Sequence, residues 1–481
     1  MKNLLLLAVL AVSVQVQAQP VTIDGLGTID FPNSGAPEAQ EAFHRGVLLL
    51  HSFEFGPARQ AFQAAQEADP AFALAYWGEA MAQNYPLWRN RDLELGRETL
   101  KRLAPTTASR RNKAPTAREK MYLDAVEMLY GEGSKEEQDL AYLDAMRRLH
   151  EAFPQDDEAR SFYALAILGS VNGERDFATY MRAAAVAYPV FLGNPNHPGA
   201  AHYLIHSFDD PVHAPLGLSA AEAYAAIAPD AAHAQHMTTH IFLELGMWDQ
   251  VVEANIRAMN VQDASRAARG QGPNTCGHYS SWRHYGHLML GEWSEAETLM
   301  DACHADIQSG ASRSWFYFAG MRARHVMDSQ DWSLAERWRV DVPVFGEPEN
   351  TASINGGPDF TYALTNAMAG VMANDFEAAE AMLAGDWGSH PGRLIQLDQL
   401  RGLLLVRRGQ RDEGLRLLAD AAHAADQLPF AFGPPEIVKP AHELYAQVLA
   451  ETGDDATEAY REAVSRTPGR PLSQQSAASQ Q

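Results

Sequence analysis

The sequence of 481 residues lacks the features that define several large classes of protein. Its two cysteines, Cys276 and Cys303, are too few for a disulfide framework. Beyond the N-terminus no apolar run is long enough to span a bilayer, so no membrane span is expected. The formal net charge of −23 argues against nucleic acid or an anionic membrane surface as a partner.

Motifs of the common nucleophilic, nucleotide-dependent and metalloprotease enzymes are also missing. The chain contains no GxSxG, GxGxxG, GxxxxGKS/T, HExxH or CxxC string. Any chemistry therefore has to come from another arrangement of side chains, and no motif by itself makes the protein an enzyme.

The N-terminus has the organisation of a signal peptide. Lys2 precedes an apolar run over residues 4–14, and small residues at Val16 and Ala18 suit the cleavage positions. We therefore predict a signal peptide over residues 1–18, cleaved after Ala18, and a periplasmic or secreted protein.

A helix-turn-helix cue recurs along the chain. It consists of an apolar helix, a Gly or polar turn, usually an aromatic residue, and a second helix with a small residue near its start. Its six copies begin at Phe53, Leu245, Leu290, Gln330, Asn374 and Arg408. This resembles the tetratricopeptide (TPR) repeat of about 34 residues. The resemblance implies an all-α fold, a TPR helix-turn-helix solenoid wound as a right-handed superhelix, because single units cannot bury their apolar faces alone.

Less regular stretches divide the chain into regions. The predicted organisation is a signal peptide (1–18), an extended leader (19–37), N-terminal TPR repeats (38–103), helical pairs after a basic loop (104–193), His-rich TPR repeats (194–310), C-terminal TPR repeats (311–467) and a disordered tail (468–481). The basic loop covers 104–115, and Thr116 with Glu119 then forms a capping-box signature for the next helix. A second loop is predicted over 340–358.

Histidines are concentrated in two neighbouring repeats. His202 and His206 are four residues apart and share a helix face, and His236 and His240 repeat that spacing 34 residues later. In the TPR family these positions line the concave groove of the superhelix. The resemblance therefore implies that two adjacent repeats present their histidine pairs to the same groove.

The pattern predicts a site for a divalent transition metal. Imidazole suits zinc and copper, which we expect first, and also iron and nickel. The predicted ligands are His202, His206, His236 and His240, with His233 and His278 completing or flanking the site. Candidates for partners that orient the ligands, or for a general base, are Asp209, Asp210 and Glu244. The alternative is a buried polar network that ties the repeats together.

The two cysteines and an aromatic group have their own interpretations. In the TPR register, Cys276 and Cys303 stand where one helix of a pair begins and the other ends, which favours a disulfide between them. A thiolate metal ligand at Cys276 is the alternative. Trp88 is interpreted as TPR packing, and no role is assigned to His51.

Two segments extend the resemblance beyond the generic repeat. HPGAAHYLIH (197–206) and HAQHMTTHIF (233–242) resemble a group of bacterial exported TPR proteins, in which a further histidine lies downstream. His278 matches that histidine, but Gly277 and Tyr279 stand where the group has Pro and Asn, so its role is less defined. The similarity covers most of residues 39–465 and implies fold and site, but no reaction.

The leading hypothesis is an exported TPR protein with a histidine-lined concave site for a transition metal. The metal is either bound alone or used for hydrolysis or oxidation. The main alternative is a metal-independent TPR scaffold that binds a protein or peptide partner. A third is an enzyme that uses histidine as acid and base without a metal.

Overall fold

A computed structural model describes residues 20–173, 175–310, 314–340 and 357–478. The predicted signal peptide lies outside these residues, as does most of the predicted loop at 340–358. Strands within the described part are confined to two antiparallel hairpins, β1 (Val21–Ile23) with β2 (Gly27–Ile29) and β3 (Asn84–Tyr85) with β4 (Asn90–Arg91). Among the helices it contains, none is long and apolar enough to cross a membrane.

Helices make up most of the described chain. In order they are α1 (Gln40–His51), α2 (Phe55–Ala68), α3 (Ala73–Met81), α4 (Leu93–Leu103), α5 (Thr107–Arg111), α6 (Ala117–Leu129), α7 (Lys135–Ala152), α8 (Asp157–Gly169), α9 (Phe177–Gly193), α10 (Pro198–Phe208), α11 (Ala214–Ile227), α12 (Ala232–Glu244), α13 (Trp248–Ala267), α14 (His278–Leu290), α15 (Trp293–Gln308), α16 (Trp315–Ser329), α17 (Leu334–Arg337), α18 (Gly357–Met372), α19 (Glu377–Ala384), α20 (Pro391–Arg407), α21 (Arg411–Ala425), α22 (Ala441–Glu451), α23 (Thr457–Arg466) and α24 (Pro471–Ala478).

Short turns join successive helices that pack on each other, and all six predicted cues lie at such turns. The small residue near the start of the second helix is buried, as at Ala58, Val251 and Ala296. Its size lets the two helices approach closely. The all-α class and the succession of helix pairs are therefore confirmed.

The turn between paired helices uses a left-handed residue. The turn residues with positive φ are Gly246 (70°), Gly291 (73°), Gly409 (82°), Asn374 (60°), Gln330 (58°) and Phe53 (53°). Glycine adopts this conformation without steric cost because it has no Cβ. Phe53 adopts it with a bulky side chain, and that side chain is buried.

The leader before α1 is tied to the His-rich repeats. Its β1–β2 hairpin receives a hydrogen bond at Gly25 O from Asp230 N at 3.1 Å, and Thr28 N donates to Asn196 O at 2.9 Å. Phe31, just after the hairpin, is buried against Trp77 and Arg118. The leader is thus packed against the helices and covers part of their hydrophobic core.

The structure differs from the predicted disordered tail at 468–481, since α24 lies within it. Two long-range contacts hold its start in place. Trp248 Nε1 donates to Gly469 O at 2.7 Å, and Arg470 is buried with Asp328 and Glu443 as ion partners. The polar composition of the tail indicated disorder. Its order could not be predicted, because the residues that hold it in place are remote in sequence.

The basic loop at 104–115 also contains structure that was not predicted. The short helix α5 lies inside it, and Arg110 Nη2 donates to Glu127 Oε2 at 2.7 Å. The capping box at Thr116 and Glu119 is confirmed, because each side chain bonds the other residue's backbone N–H at the start of α6.

Candidate functional site

The predicted histidines form one continuous cluster at the junction of α10, α12 and α14. Neighbouring ring centroids lie 4.4 to 6.2 Å apart. His202 and His206 lie on α10, and three others lie on α12, the first helix of the next repeat. Helix α10 begins where it does because Pro198 occupies its first turn and His197 accepts the N–H of Ala200 at 3.0 Å.

Three of these histidines come within reach of a single ion. His202, His206 and His233 each offer a ring nitrogen, and these atoms all lie within 4.8 Å of one another. The shortest approach is 3.0 Å, between Nε2 of His202 and Nε2 of His206. His233 Nε2 is buried and has no hydrogen-bond partner among the described residues. His233 is therefore the α12 histidine that joins His202 and His206. The sequence pattern had favoured His236 and His240 for that position.

The protonation of His202 is set by its other nitrogen. His202 Nδ1 lies 2.6 Å from the carbonyl oxygen of His51, which can only accept. The Nδ1 atom therefore carries the hydrogen, and Nε2 presents a lone pair toward His206 in the neutral ring. This is how a histidine is oriented when its second nitrogen binds a metal.

The same arrangement recurs at His236. Its Nδ1 lies 2.9 Å from Asn255 Oδ1, while Asn255 Nδ2 donates to Val251 O at 2.8 Å. The amide oxygen is thus the atom that faces the ring, and His236 Nε2 is left as an acceptor. That nitrogen lies 2.9 Å from Nε2 of His278, at the start of α14.

At His240 the orienting group is a carboxylate. Its Nδ1 lies 2.7 Å from Asp209 Oδ2, and both side chains are nearly closed to solvent. Asp209 Oδ1 is buried and has no hydrogen-bond partner in the described part of the chain. Asp209 thus has the predicted position for a group that orients a ligand and raises its basicity.

Burial keeps five rings of the cluster neutral. Desolvation lowers the pKa of His202 to about 3 and that of His278 to about 4. The same cause, reinforced by the neighbouring imidazoles, holds the pKa of His206, His233 and His236 well below the ordinary value. A neutral ring is the form of histidine that can bind a transition metal.

The two other predicted carboxylates do not join the cluster. Asp210 caps the turn into α11 by accepting the N–H of His213 at 2.9 Å, and Arg175 lies 3.2 Å from it. Glu244 ends α12 and lines a separate cavity. These two carboxylates were predicted to join the site because they lie close to the histidines in sequence. The turn after α10 and the end of α12 instead direct their side chains away from the cluster.

Residues of the first helix pair complete the site, and spacing did not indicate them. The ring of Phe53 lies 4.3 Å from that of His202 and 5.5 Å from that of His233. Glu54 Oε1 accepts the N–H of His233 at 3.0 Å and so caps α12, while burial raises its pKa. Trp88, 56% exposed, lies with its ring 5.8 Å from His233. The signal available in the sequence was Phe53 itself, a bulky residue at a turn position where other repeats carry Gly.

A second buried group lies next to the first. His51 Nε2 is 2.8 Å from Glu158 Oε2, and His197 Nε2 is 3.1 Å from Glu158 Oε1. His51 Nδ1 is 2.8 Å from the hydroxyl of Tyr203. We call His51, Glu158 and His197 the Glu158 triad. The sequence did not predict it, because both hydrogen-bond partners of His51 lie more than a hundred residues away along the chain.

The structure joins Cys276 and Cys303 in a disulfide, with Cα atoms 4.5 Å apart. The bond connects the segment before α14 to α15. It leaves no thiolate at Cys276 and holds the chain two residues before His278.

Fold and site together define an all-α helical-repeat protein with a histidine cluster shared between adjacent repeats. No protein-family model matches the chain, and no curated protein matches it. Among solved structures it is similar to the crystal structure of the P58(IPK) TPR domain, with 11% identity, 92% of this chain and 97% of that chain covered, and a TM-score of 0.23. It is also similar to yeast Tom70, with 10% identity, coverage of 92% and 96%, and a TM-score of 0.30. At these TM-scores no residue role is carried across.

Proposed function

We propose that the protein binds a divalent transition metal through His202, His206 and His233. The observation that carries this proposal is the 3.0 Å approach of Nε2 of His202 to Nε2 of His206 while the Nδ1–H of His202 is committed to a carbonyl. Two neutral rings that face each other in this way need either a single proton or a cation between them. The unpartnered Nε2 of His233 supports the cation.

The distances suit zinc or copper, and iron and nickel are compatible. Ligand nitrogens around a tetrahedral zinc, with bonds of 2.0–2.1 Å, lie about 3.3 Å apart. The three nitrogens already lie within 4.8 Å of one another, so small side-chain rotations would suffice. His236, His240 and His278 flank this set and extend it toward α14.

Three protein ligands leave a further coordination position for water or a substrate. A metal held this way supplies Lewis-acid chemistry for hydrolysis or, if redox-active, oxidation. Metal-independent acid–base catalysis is the weaker candidate. Burial lowers the pKa of His202 to about 3, whereas an efficient acid–base group titrates near the working pH.

The proposed location is the periplasm or the exterior of the cell. The predicted signal peptide motivates this, and the disulfide between Cys276 and Cys303 supports it, because such bonds persist in oxidising compartments.

Metal content after purification without chelators, measured by mass spectrometry, tests the proposal. We expect a stoichiometric transition metal in the wild type and a loss of most of it in His233→Ala. This variant is the cleanest because no hydrogen bond of Nε2 is broken. His423→Ala, an exposed histidine, is the matched control and should keep the metal. A wild type that stays metal-free after incubation with zinc, copper, nickel and iron would contradict the proposal.

A second candidate function is a protein-interaction scaffold. Stacked helix pairs form extended binding surfaces, and Trp88 is a large exposed aromatic side chain beside the cluster. A pull-down with protein freed of metal by a chelator should then recover one stoichiometric partner. Trp88→Ala should lose that partner. Leu192→Ala, the control at a side chain that is 65% exposed, should keep it. A partner that requires the metal would instead link the two functions.

A further inference from the structure

A cavity of about 130 Å³ lies where the His-rich repeats meet the C-terminal repeats. Leu243, Trp248 and Tyr285 line one side. The other side is formed by the segment 428–441 between α21 and α22, with Phe430 over the cavity. The walls are mainly apolar and aromatic, which is typical of small-molecule sites.

The arginines that reach this cavity already have partners. Arg470 is buried and ion-paired with Asp328, and its Nε donates to Glu443 Oε2 at 2.7 Å. Arg466 Nη2 donates to the carbonyl oxygen of Leu428 at 3.2 Å. Neither guanidinium is therefore left to neutralise another acid in the lining.

Two carboxyl groups of the lining are not satisfied in this way. Glu244, at the end of α12, has no hydrogen-bond or ion-pair partner among the residues described. The cation that influences it most, Arg175, lies 3.2 Å from Asp210. Glu436 Oε1 is buried and makes no hydrogen bond to any described residue, and His390 Nδ1 lies 3.5 Å from it.

Burial raises the pKa of Glu436 to about 7 and that of Glu244 well above the ordinary value. Both acids would therefore gain from a positive group brought into the cavity, because in the described part of the chain Glu244 has no cation paired with it and Glu436 has only His390.

We propose that this cavity binds a small organic cation, an ammonium or guanidinium group on an apolar body, with Glu244 as its main anchor and Glu436 as the second. The rings of Trp248, Tyr285 and Phe430 provide faces for the apolar body and for a cation. A bare metal ion fits less well, since hard cations take six to eight oxygen ligands and these walls are mostly carbon. The net charge of −23 favours entry of a cation.

The cavity volume sets the size of the ligand. An apolar cavity of about 150 Å³ in another protein holds one benzene molecule. A ligand with about six to ten non-hydrogen atoms is therefore expected. This site is separate from the histidine cluster, so the proposal does not rest on metal binding.

Calorimetric titration of the full protein with benzylammonium and, separately, with the neutral benzyl alcohol tests the proposal. Chelator is present so that metal at the histidines cannot contribute. We expect benzylammonium to bind about 10- to 100-fold more tightly, as one charged hydrogen bond would give. Glu244→Gln should remove most of that advantage, and Glu436→Gln should remove less because His390 already lies near it.

The matched control is Glu253→Gln, on α13 with a side chain 70% exposed, which should bind like the wild type. Equal affinity for the alcohol and the ammonium, or no binding of either, would overturn the proposal. So would an undiminished preference for the ammonium in folded Glu244→Gln. The comparison of the two probes on the wild type stays decisive even if a variant fails to fold.

Discussion

Two buried histidine groups lie side by side in this protein, and only one of them has nitrogens to spare. The Glu158 triad and the set His202, His206 and His233 both bring three candidate ligands close together. In the triad each imidazole nitrogen has a proton donor or acceptor of the right kind. In the other set two Nε2 atoms face each other, and a third has no hydrogen-bond partner within the ranges that the structure describes.

The difference shows that closeness of ligand atoms does not define a metal site. In the triad, His197 Nδ1 accepts the N–H of Ala200 and its Nε2 donates to Glu158, so every lone pair and hydrogen is used. At His202 the backbone takes the only hydrogen, and the lone pair remains. From this difference in hydrogen bonding we expect the triad to be structural and the other set to bind the proposed metal.

The largest expected difference between the two groups is in how acid lowers the stability of the metal-free protein. Below pH 6.5 the unfolded chain protonates His202 and His278, while the folded state keeps them neutral down to about 3 and 4. Stability therefore falls as pH falls through this window, by about 1.4 kcal/mol per ring and pH unit. The two rings together should cost on the order of 5 kcal/mol at pH 4.5, measured by urea unfolding.

Glu158 of the triad should respond later to acid, whereas His51, whose pKa burial lowers, adds to the loss of stability below pH 6.5. Burial alone would raise the pKa of Glu158, but His197 and His51 outweigh it and hold that pKa well below the usual range. The contribution of Glu158 is present above the ordinary glutamate pKa of 4.5 and is lost only at lower pH. The double variant His202→Ala/His278→Ala should therefore show a flatter stability profile between pH 6.5 and 4.5. An unchanged profile would contradict the assignment.

Removal of Glu158 should affect stability and spare the metal. Glu158→Ala leaves two buried imidazoles without their shared acceptor, at an expected cost of about 3–5 kcal/mol in the free energy of unfolding. Metal bound per folded molecule should stay close to wild type. His233→Ala should show the reverse pattern, with loss of metal and, when both proteins are compared metal-free, little change in the unfolding midpoint. A loss of metal in folded Glu158→Ala would make the two groups one unit.

The smallest effect is expected at Asp209. Asp209→Asn keeps the shape but weakens the acceptor for His240 Nδ1–H. Groups that orient a metal ligand directly are worth about 10- to 100-fold in metal affinity, and because His240 only flanks the proposed ligands the loss should lie at the lower end of that range. Competition with a chromophoric chelator measures the change. Asp210→Asn, on the neighbouring residue that faces away from the cluster, should leave the affinity unchanged.

The helix pairs could be predicted from the sequence because their signal is local. A small residue such as Ala58 or Val251 stands close in sequence to the turn that it serves, and the cue repeats along the chain. The fate of residues after 467 could not be predicted this way. Arg470 finds Asp328 at a separation of 142 residues, and no periodicity carries that information.

The candidate site was predictable only in part, for the same reason. Four-residue spacing and the 34-residue period located the rings on α10 and α12. The period brings His206 to His240, with centroids 6.1 Å apart, but His202 has His233 as its nearer neighbour on α12, at 5.1 Å. Phe53, Glu54 and His51 come from the first helix pair, and only closure of the whole chain brings them there.

The turn at Phe53 has a consequence for anyone who would redesign this chain by averaging its repeats. Equivalent turns carry Gly246, Gly291 and Gly409, so a consensus would place glycine at this position. The backbone would relax, since a left-handed bulky residue costs roughly 1 kcal/mol or more. The ring packed 4.3 Å from His202 would disappear with the strain. At this turn a consensus sequence would therefore remove a contact of the candidate site, because the residue that makes it departs from the repeat.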